Sequence, residues 1–415
     1  SLGAGSRILT QDLIDKLKSS DESRFVAPVD RKIKDENSKM QSFQIIEANV
    51  EALGQSLKPL TGYGLFESRI SSASDENILD VEAAESSDIQ DFTLDVTALA
   101  TKEISQSASF PSKISTIATG DGTLDLFVGE KKITLDYKST TTLDDLKDMI
   151  NKEAGDSLKA SIVQIANNDF RLFLIAENSG TGQEISLSDN TVVKEMVDST
   201  TKFDKDGNPL KEEKVLKAGN LNVSLTSQMS SVQSAVDATF KFNGLEITRS
   251  SNMINDLSSG LTITLKDIGS SSVSVKQDRE NIQSSIINFI DKYNSTLFQL
   301  NEDTKSSQDK SVRGVFSGNS TIRSMESSMT NIFSIVGEGV GKIQDYGIEA
   351  DRSGRLSLNT SKLNQMLDEN PENVKAFLAG GEFIKPDGVT VQLEGAFSEI
   401  DSEIEKYSKY NAILD

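Results

Sequence analysis

Cysteine, histidine and tryptophan are all missing from the 415 residues. Without cysteine there can be no disulfide framework, no thiolate zinc site and no thiol nucleophile. The count does not fix a compartment, since a cysteine-free chain is stable on either side of a membrane. Without histidine there is no imidazole general base, no His-dependent triad and no basis for most transition-metal sites. Only carboxylate or Ser–Lys chemistry is left. Positive charge is also in deficit: 43 Lys plus Arg stand against 64 Asp plus Glu, a net charge of −21. That field repels phosphate backbones and anionic lipid, and no compact basic block offsets it, so neither nucleic acid nor a membrane surface is an expected partner. No stretch approaches the roughly 20 consecutive apolar residues that cross a bilayer. The opening "SLGAGSRILT" has no charged-then-apolar leader and no initiating Met, so it is expected to be part of a longer gene product.

What is present is a chain long enough for two to four domains, with helical texture at both ends and β texture between. Thr10 can cap a first helix, with Asp12 in its first turn and Leu9 facing Ile14 as a staple. After Pro28, Phe43, Ile46, Val50, Leu53, Leu57 and Leu60 recur at threes and fours until "KPLTGYG". "DFTLDVTALA" alternates as a strand. Between Gly120 and Ser188 a ββαββ order is read: a hairpin at Gly129-Glu130, a helix capped by Thr142 and Asp145 and stopped by Gly155, then a hairpin around Asn167-Asn168-Asp169. Residues 192–233 look polar and weakly patterned. Asn243-Gly244 is the strongest hairpin signal, and helical stripes return at Ile282, Ile286, Phe289, Tyr293, Leu300 and at Ile322, Met325, Met329, Ile332.

The end of the chain, "EIEKYSKYNAILD", carries Phe397, Ile400, Ile404, Tyr407, Asn411 and Leu414 at alternating threes and fours, a coiled-coil seam. Its expected partner is the N-terminal helix through Leu9, Leu13 and Leu17, with contacts between subunits as the alternative. Asn411 stands at a core position, where a buried Asn sets register or oligomer state. The expected fold class is therefore α+β and multi-domain, a coiled-coil-like helical leg built from both chain ends with inserted antiparallel β-rich heads. The expected domains are a terminal segment 1–40 pairing with 394–415, a helical leg of 41–68 plus 278–393, a β head of 69–112 plus 234–277, and an inserted β head of 113–233.

No catalytic, cofactor-binding or metal residue is assigned. "DKDGNP" invites a calcium-loop reading, but Gly207 comes two positions early and no Glu closes the loop, so it reads as a surface turn. "GEGVGK" lacks the spacing and the Ser or Thr of a phosphate loop, and reads as a linker. The acid pairs Asp144-Asp145 and Glu212-Glu213 sit in a helix first turn and a solvated loop, where acids belong without chemistry. Cofactors are expected to be none.

Several blocks resemble the bacterial flagellar filament-cap family, FliD or hook-associated protein 2. "LTQDLIDKLKSSDESRFVAPVDRKI" is similar to its N-terminal signature of a short helix, a Pro break and a longer helix. "DGTLDLFVGEKKITLDYKSTTTLDDLKDMINKEAGDSLKASIV" with "AENSGTGQEI" is similar to an insertion module shared with flagellins. "FKFNGLEITRSSNMINDLSSGLTITL", "INFIDKYNSTLFQL", "GVFSGNSTIRSMESSM" and "YGIEADRSGRLSLNTSKLNQMLDENPENVKAFLAG" follow the family in order. The resemblance implies a non-enzymatic homo-oligomer, commonly a pentamer, at the extracellular tip of the flagellum, where it promotes folding and insertion of flagellin. It further implies dealings with hook–filament junction proteins, the flagellar type III export machinery and an export chaperone, and roles in motility and cell adhesion. Members continue past the equivalent of "YNAILD" through another apolar helix. The alternatives are a flagellin or hook–filament junction subunit, and, from another class, an extracellular polysaccharide hydrolase or adhesin.

Overall fold

Thr10 opens the first helix as its pattern predicts: its Oγ1 accepts from the Leu13 amide at 3.4 Å, and α1 runs Gln11–Asp21. The computed structural model describes residues 10–408, apart from 63, 207, 218, 310, 332–335 and 338. No break follows α1. A five-residue π segment, Glu22–Val26, leads directly into α2, Ala27–Leu57. The expected Pro break is therefore absent: the helix continues, and Pro28 sits just after the π segment, where the regular i→i−4 ladder is already interrupted. A short helix α3, Gly64–Glu67, follows.

The chain divides into two units, an outer one of residues 1–68 and 277–415 and an inner one of 69–276. The inner unit is built on β1 (Arg69–Ala73), β2 (Leu79–Ala83), β3 (Gln90–Ala98), β4 (Lys102–Gln106), β5 (Gly122–Val128), β6 (Lys131–Tyr137), α4 (Leu143–Ala154), β7 (Leu158–Ala166), β8 (Asp169–Ser179) and β9 (Ile185–Asp189). It continues with β10 (Val192–Phe203), β11 (Pro209–Lys217), β12 (Ser230–Gln233), β13 (Ala238–Phe242), β14 (Leu245–Arg249), β15 (Met253–Ile254), β16 (Leu261–Leu265) and β17 (Gly269–Gln277).

Two cores hold this unit. In one, a sheet in the order β1-β17-β3-β13-β14 and a smaller one, β15-β16-β2, share a core that includes Phe92, Leu94, Phe240, Ile263 and Val275. The β13–β14 hairpin turns on Asn243 and Gly244, both at positive φ (49° and 86°), as its Asn-Gly signal requires. The second core holds the ββαββ elements in the expected order. The Thr142–Asp145 capping box is formed, and Leu143, Leu146 and Ile150 are fully buried. The two hairpins nonetheless enter different sheets, β6-β5-β9 and β12-β4-β8-β7. Residues 192–217, read as weakly patterned, form the long β10–β11 hairpin.

The outer unit resumes with α5 (Arg279–Thr304), capped by Asp278, then α6 (Ser320–Asn331), α7 (Thr360–Glu369), α8 (Pro371–Ala379) and α9 (Ala396–Ser408). Helix α5 lies antiparallel on α2: Ser42 meets Asp303 and Asn49 meets Thr296. Ile46, Val50, Leu53 and Leu57 share one core with Ile282, Ile286, Phe289, Tyr293 and Leu300. Helix and antiparallel sheet are segregated along the chain, the α+β organisation expected of it. Among the described residues, no helix is long and apolar enough to cross a membrane.

Candidate assembly surfaces

Residues 11–40 contain no buried side chain, although they form more than half of the long N-terminal helix. Along them Leu13, Ile14, Leu17, Phe25, Val26, Val29, Ile33 and Met40 are each 40–63 % exposed. In an unbroken α-helix at 100° per residue, Leu17 and Ile33 would stand roughly 160° apart, on different faces. The π segment inserts one extra residue and turns everything after it back by about 100°. Leu17 and Val29 then fall within roughly 20° of each other and Leu17 and Ile33 within roughly 60°. The wide turn thus brings two out-of-phase stripes onto one apolar face. The buried seam of Ile46, Val50, Leu53 and Leu57, packed against α5 and α9, lies on a different side of the helix, Ile46 standing roughly 140° round from Ile33.

The C-terminal half of the expected seam is answered elsewhere. Phe397, Ile400 and Ile404 are buried in the outer core, and Phe397 stands edge-on to Phe289 at a ring-centre distance of 5.5 Å. A Cβ on Gly54 would lie 3.9 Å from Ile404 Cγ2, and Asp401 lies within electrostatic reach of Lys58. Helix α9 therefore runs antiparallel along the C-terminal end of α2. Gly54 faces it, and Leu17 lies about 55 Å further along the same helix. The described part of α9 thus pairs with α2 and α5 and not with α1, whose Leu13 and Leu17 are exposed. Leu9, Asn411 and Leu414 lie outside the described residues, and of Tyr407 only its place in α9 is described.

Burial acts on the acids of α9. It raises the carboxyl pKa of Glu399, with a smaller push from Glu394, and that of Asp401, with a smaller push from Glu405. Nearby, Lys375 pairs with Glu67; desolvation opposes its charge, but hydrogen bonding to Glu67 and the Glu372 field raise its pKa overall. Tyr346 stacks on Phe377 at 3.9 Å, and burial pushes its hydroxyl up to about 12.

Of the residues weighed for chemistry, Asp144, Asp145 and Asp204 have structural partners, and Glu212 and Glu213, expected in a solvated loop, lie in strand β11. Asp145 caps α4 and Asp144 pairs with Lys147 at 2.8 Å. Asp204 closes a tight turn, its Oδ1 accepting from the amides of Asp206 and Asn208 at 2.9 and 2.8 Å. Gly337 and Gly341 pair in a small hairpin rather than a linker. Among the described residues no group of acids is placed to hold a metal ion. One polar anchor was not legible beforehand. Asp189 accepts from Tyr137 Oη at 3.0 Å, the Thr191 amide at 3.0 Å and the Leu221 amide at 2.7 Å, tying segments far apart in sequence. The apolar residues Phe25, Val29 and Ile33 were also missed; their fours are out of phase with Leu13 and Leu17 unless one residue is inserted.

Two family models, described as the N-terminus and the C-terminus of flagellar hook-associated protein 2, match residues 6–103 and 235–415. A flagellar hook-associated protein 2 of Campylobacter jejuni is 28% identical over 413 residues, covering 91% of this chain and 64% of the relative. One of Aeromonas caviae is 26% identical over 438 residues, covering 100% of this chain and 86% of the relative. The chain thus spans a little under two thirds of the length of the Campylobacter protein. In fold it is similar to the flagellar cap protein FliD D1-D2-D3 domains from Escherichia coli, with a TM-score of 0.62 at 21% identity over 89% of this chain and 97% of that one.

Proposed function

The chain belongs to the flagellar hook-associated protein 2 family, and we propose on that premise that it caps the bacterial flagellar filament. It works outside the cell as a homo-oligomer at the distal tip, where it promotes folding and insertion of exported flagellin. The observation that carries this reading is the continuous apolar face of residues 11–40, a stretch of helix with no buried side chain. Covering such a face stabilises by on the order of 1 kcal/mol per half-exposed side chain, so it is built to be packed by other helices.

The direction of α9 suggests how the seam is shared. Leu13 and Leu17 are left for a helix of another subunit or of a flagellin at the filament end. In this role the outer unit is a leg and the β-rich inner unit a head. The mechanism is mechanical: the legs occupy gaps between terminal flagellins, and each incoming subunit folds in a sheltered space beneath the heads. Other partners are hook–filament junction proteins, the type III export machinery and an export chaperone. No catalytic step is part of the proposal.

Deleting the gene should leave cells that export monomeric flagellin and build no filament; filaments of ordinary length would overturn the reading. Labelled protein should sit only at filament tips, and label along the shaft would make it a filament subunit instead.

A further inference from the structure

The sheet β12-β4-β8-β7 of the inner unit has two outer strands; β12 carries no charge, and β7 carries only Lys159, at its start, paired with Glu177 at 2.7 Å, in a chain that is 26% charged. From Ala160 to the end of β7 and on to Asn168 there is no Asp, Glu, Lys or Arg, and Val163 and Ile165 are 43% and 52% exposed. Strand β12 lies in the similarly uncharged stretch Ala218–Val236; all four of its residues are exposed, Val232 by 53%. Natural sheet edges are usually blunted by Lys, Pro or a covering element; on β7 such devices stop at Lys159 and at Ala160, which Asn151 covers, and neither Lys nor Pro occurs from Ile162 to Ala166 or in β12.

Asn151 shows what the β7 edge accepts. Its Nδ2 donates to the Ala160 carbonyl at 2.9 Å, and the Ala160 amide donates to its Oδ1 at 2.8 Å. A side-chain amide here takes the place of a neighbouring strand's backbone. In an antiparallel pair the backbone groups alternate between facing the partner and facing away. The N–H and C=O of Ile162 therefore point out of the sheet on the same side as those of Ala160. The register agrees: Ile162 stands opposite Leu172, whose own N–H and C=O are taken by Ser107 on its other side. Gln164 follows with the same outward parity.

We propose that the open stretch of β7, from Ile162 to Ala166, receives β12 of a second copy of this chain, so that the sheet continues from subunit to subunit. Charge argues for this occupant. Copies carrying −21 repel each other, and they can approach at least cost where both surfaces are uncharged. The open stretch of β7 and the four residues of β12 are of nearly equal length. Because the two strands are opposite edges of one sheet, the contact is head-to-tail, the kind that closes rings, whereas β7 on β7 would end at a pair. The inference deepens the self-association named in the cap reading by giving it a surface.

The chain has no cysteine, so thiols can be placed singly. Gln164→Cys and Val232→Cys are prepared in the full chain and treated with a short bismaleimide at concentrations where light scattering shows self-association. The expected result is covalent dimer when the two variants are mixed, a ladder from the double variant, and monomer from either alone. Dimer from Gln164→Cys alone would show β7 pairing with itself and overturn the proposal. So would the absence of any cross-link while self-association persists, an outcome that leaves the cap reading standing. A chain that stays monomeric at every concentration would overturn both this contact and the proposed homo-oligomer. Gln164→Lys, at an exposed position, should keep the circular dichroism unchanged and weaken self-association by about tenfold or more; unchanged association would count against the edge.

Discussion

Ser42 on α2 donates to Asp303 on α5 at 2.6 Å, joining buried residues 261 apart in sequence. Gln299 Nε2 is the other side-chain donor to the same carboxylate oxygen, at 2.9 Å. This bond sits where the stretch of α2 without buried side chains gives way to the buried one.

Removing the Ser42 hydroxyl should leave the Asp303 carboxylate short of a donor inside the outer unit. Ser42→Ala is expected to lower its stability by about 1–3 kcal/mol. Urea denaturation followed by helical circular dichroism measures the loss, and an unchanged midpoint would mean that water replaces the hydroxyl there.

Gly54 separates two effects. A Cβ there makes only an ordinary contact with Ile404, so Gly54→Ala should raise stability by about 1 kcal/mol through helix propensity. Gly54→Phe should instead push α9 from its seat and expose the 396–408 segment to proteolysis. If the Phe variant resists protease as well as the parent does, α9 is not held by this contact.

Deleting Ser23 should convert the wide turn to a regular α turn. Helix content should stay constant while Leu13 and Leu17 rotate by about 100° away from Val29 and Ile33. Complementation of a deletion strain should then fail to restore filaments, although the variant is folded and exported. Full motility would show that the alignment of the two stripes does not matter.

The two units should respond differently to acid at defined residues. Burial raises the Asp401 pKa, so its charge opposes folding at neutral pH, and the opposition lifts as pH falls through the raised value. Asp401→Asn should therefore stabilise the outer unit near pH 7 and have little effect near pH 3. Asp189 runs the other way. Despite desolvation, hydrogen bonds from Thr191, Leu221 and Tyr137 hold its pKa below 3.8. Its contribution is complete above the ordinary carboxylate value and is lost as pH falls below it, so Asp189→Asn should hurt most near pH 7. Denaturation midpoints of both variants across pH 3–8 test the signs, and parallel curves would refute the contrast.

Local events were legible in the residues themselves. The Thr142–Asp145 box, the Asn243-Gly244 turn and the Ile46–Leu57 and Ile282–Leu300 stripes each depend on neighbours within one or two turns, so their spacing carries the information. The β10–β11 hairpin was not legible, because its apolar residues do not alternate: Val192 and Val193 are adjacent, as are Met196 and Val197, and most of them stand opposite charged residues such as Lys217, Glu213 and Glu212.

The sequence by itself determined which segments are helix and strand over most of the chain, the apolar seams at both ends, and the absence of thiol and imidazole chemistry. Tertiary structure alone decided what those elements meet. Period-two and period-3.6 patterns specify a face but not its partner, so only packing could send the two hairpins of one module into different sheets. Packing likewise seated Ile404 over Gly54, leaving Leu13 and Leu17 exposed. The π turn is the sharpest case. One residue of extra winding is invisible in composition, yet it decides whether the N-terminal helix offers two weak stripes or one continuous face.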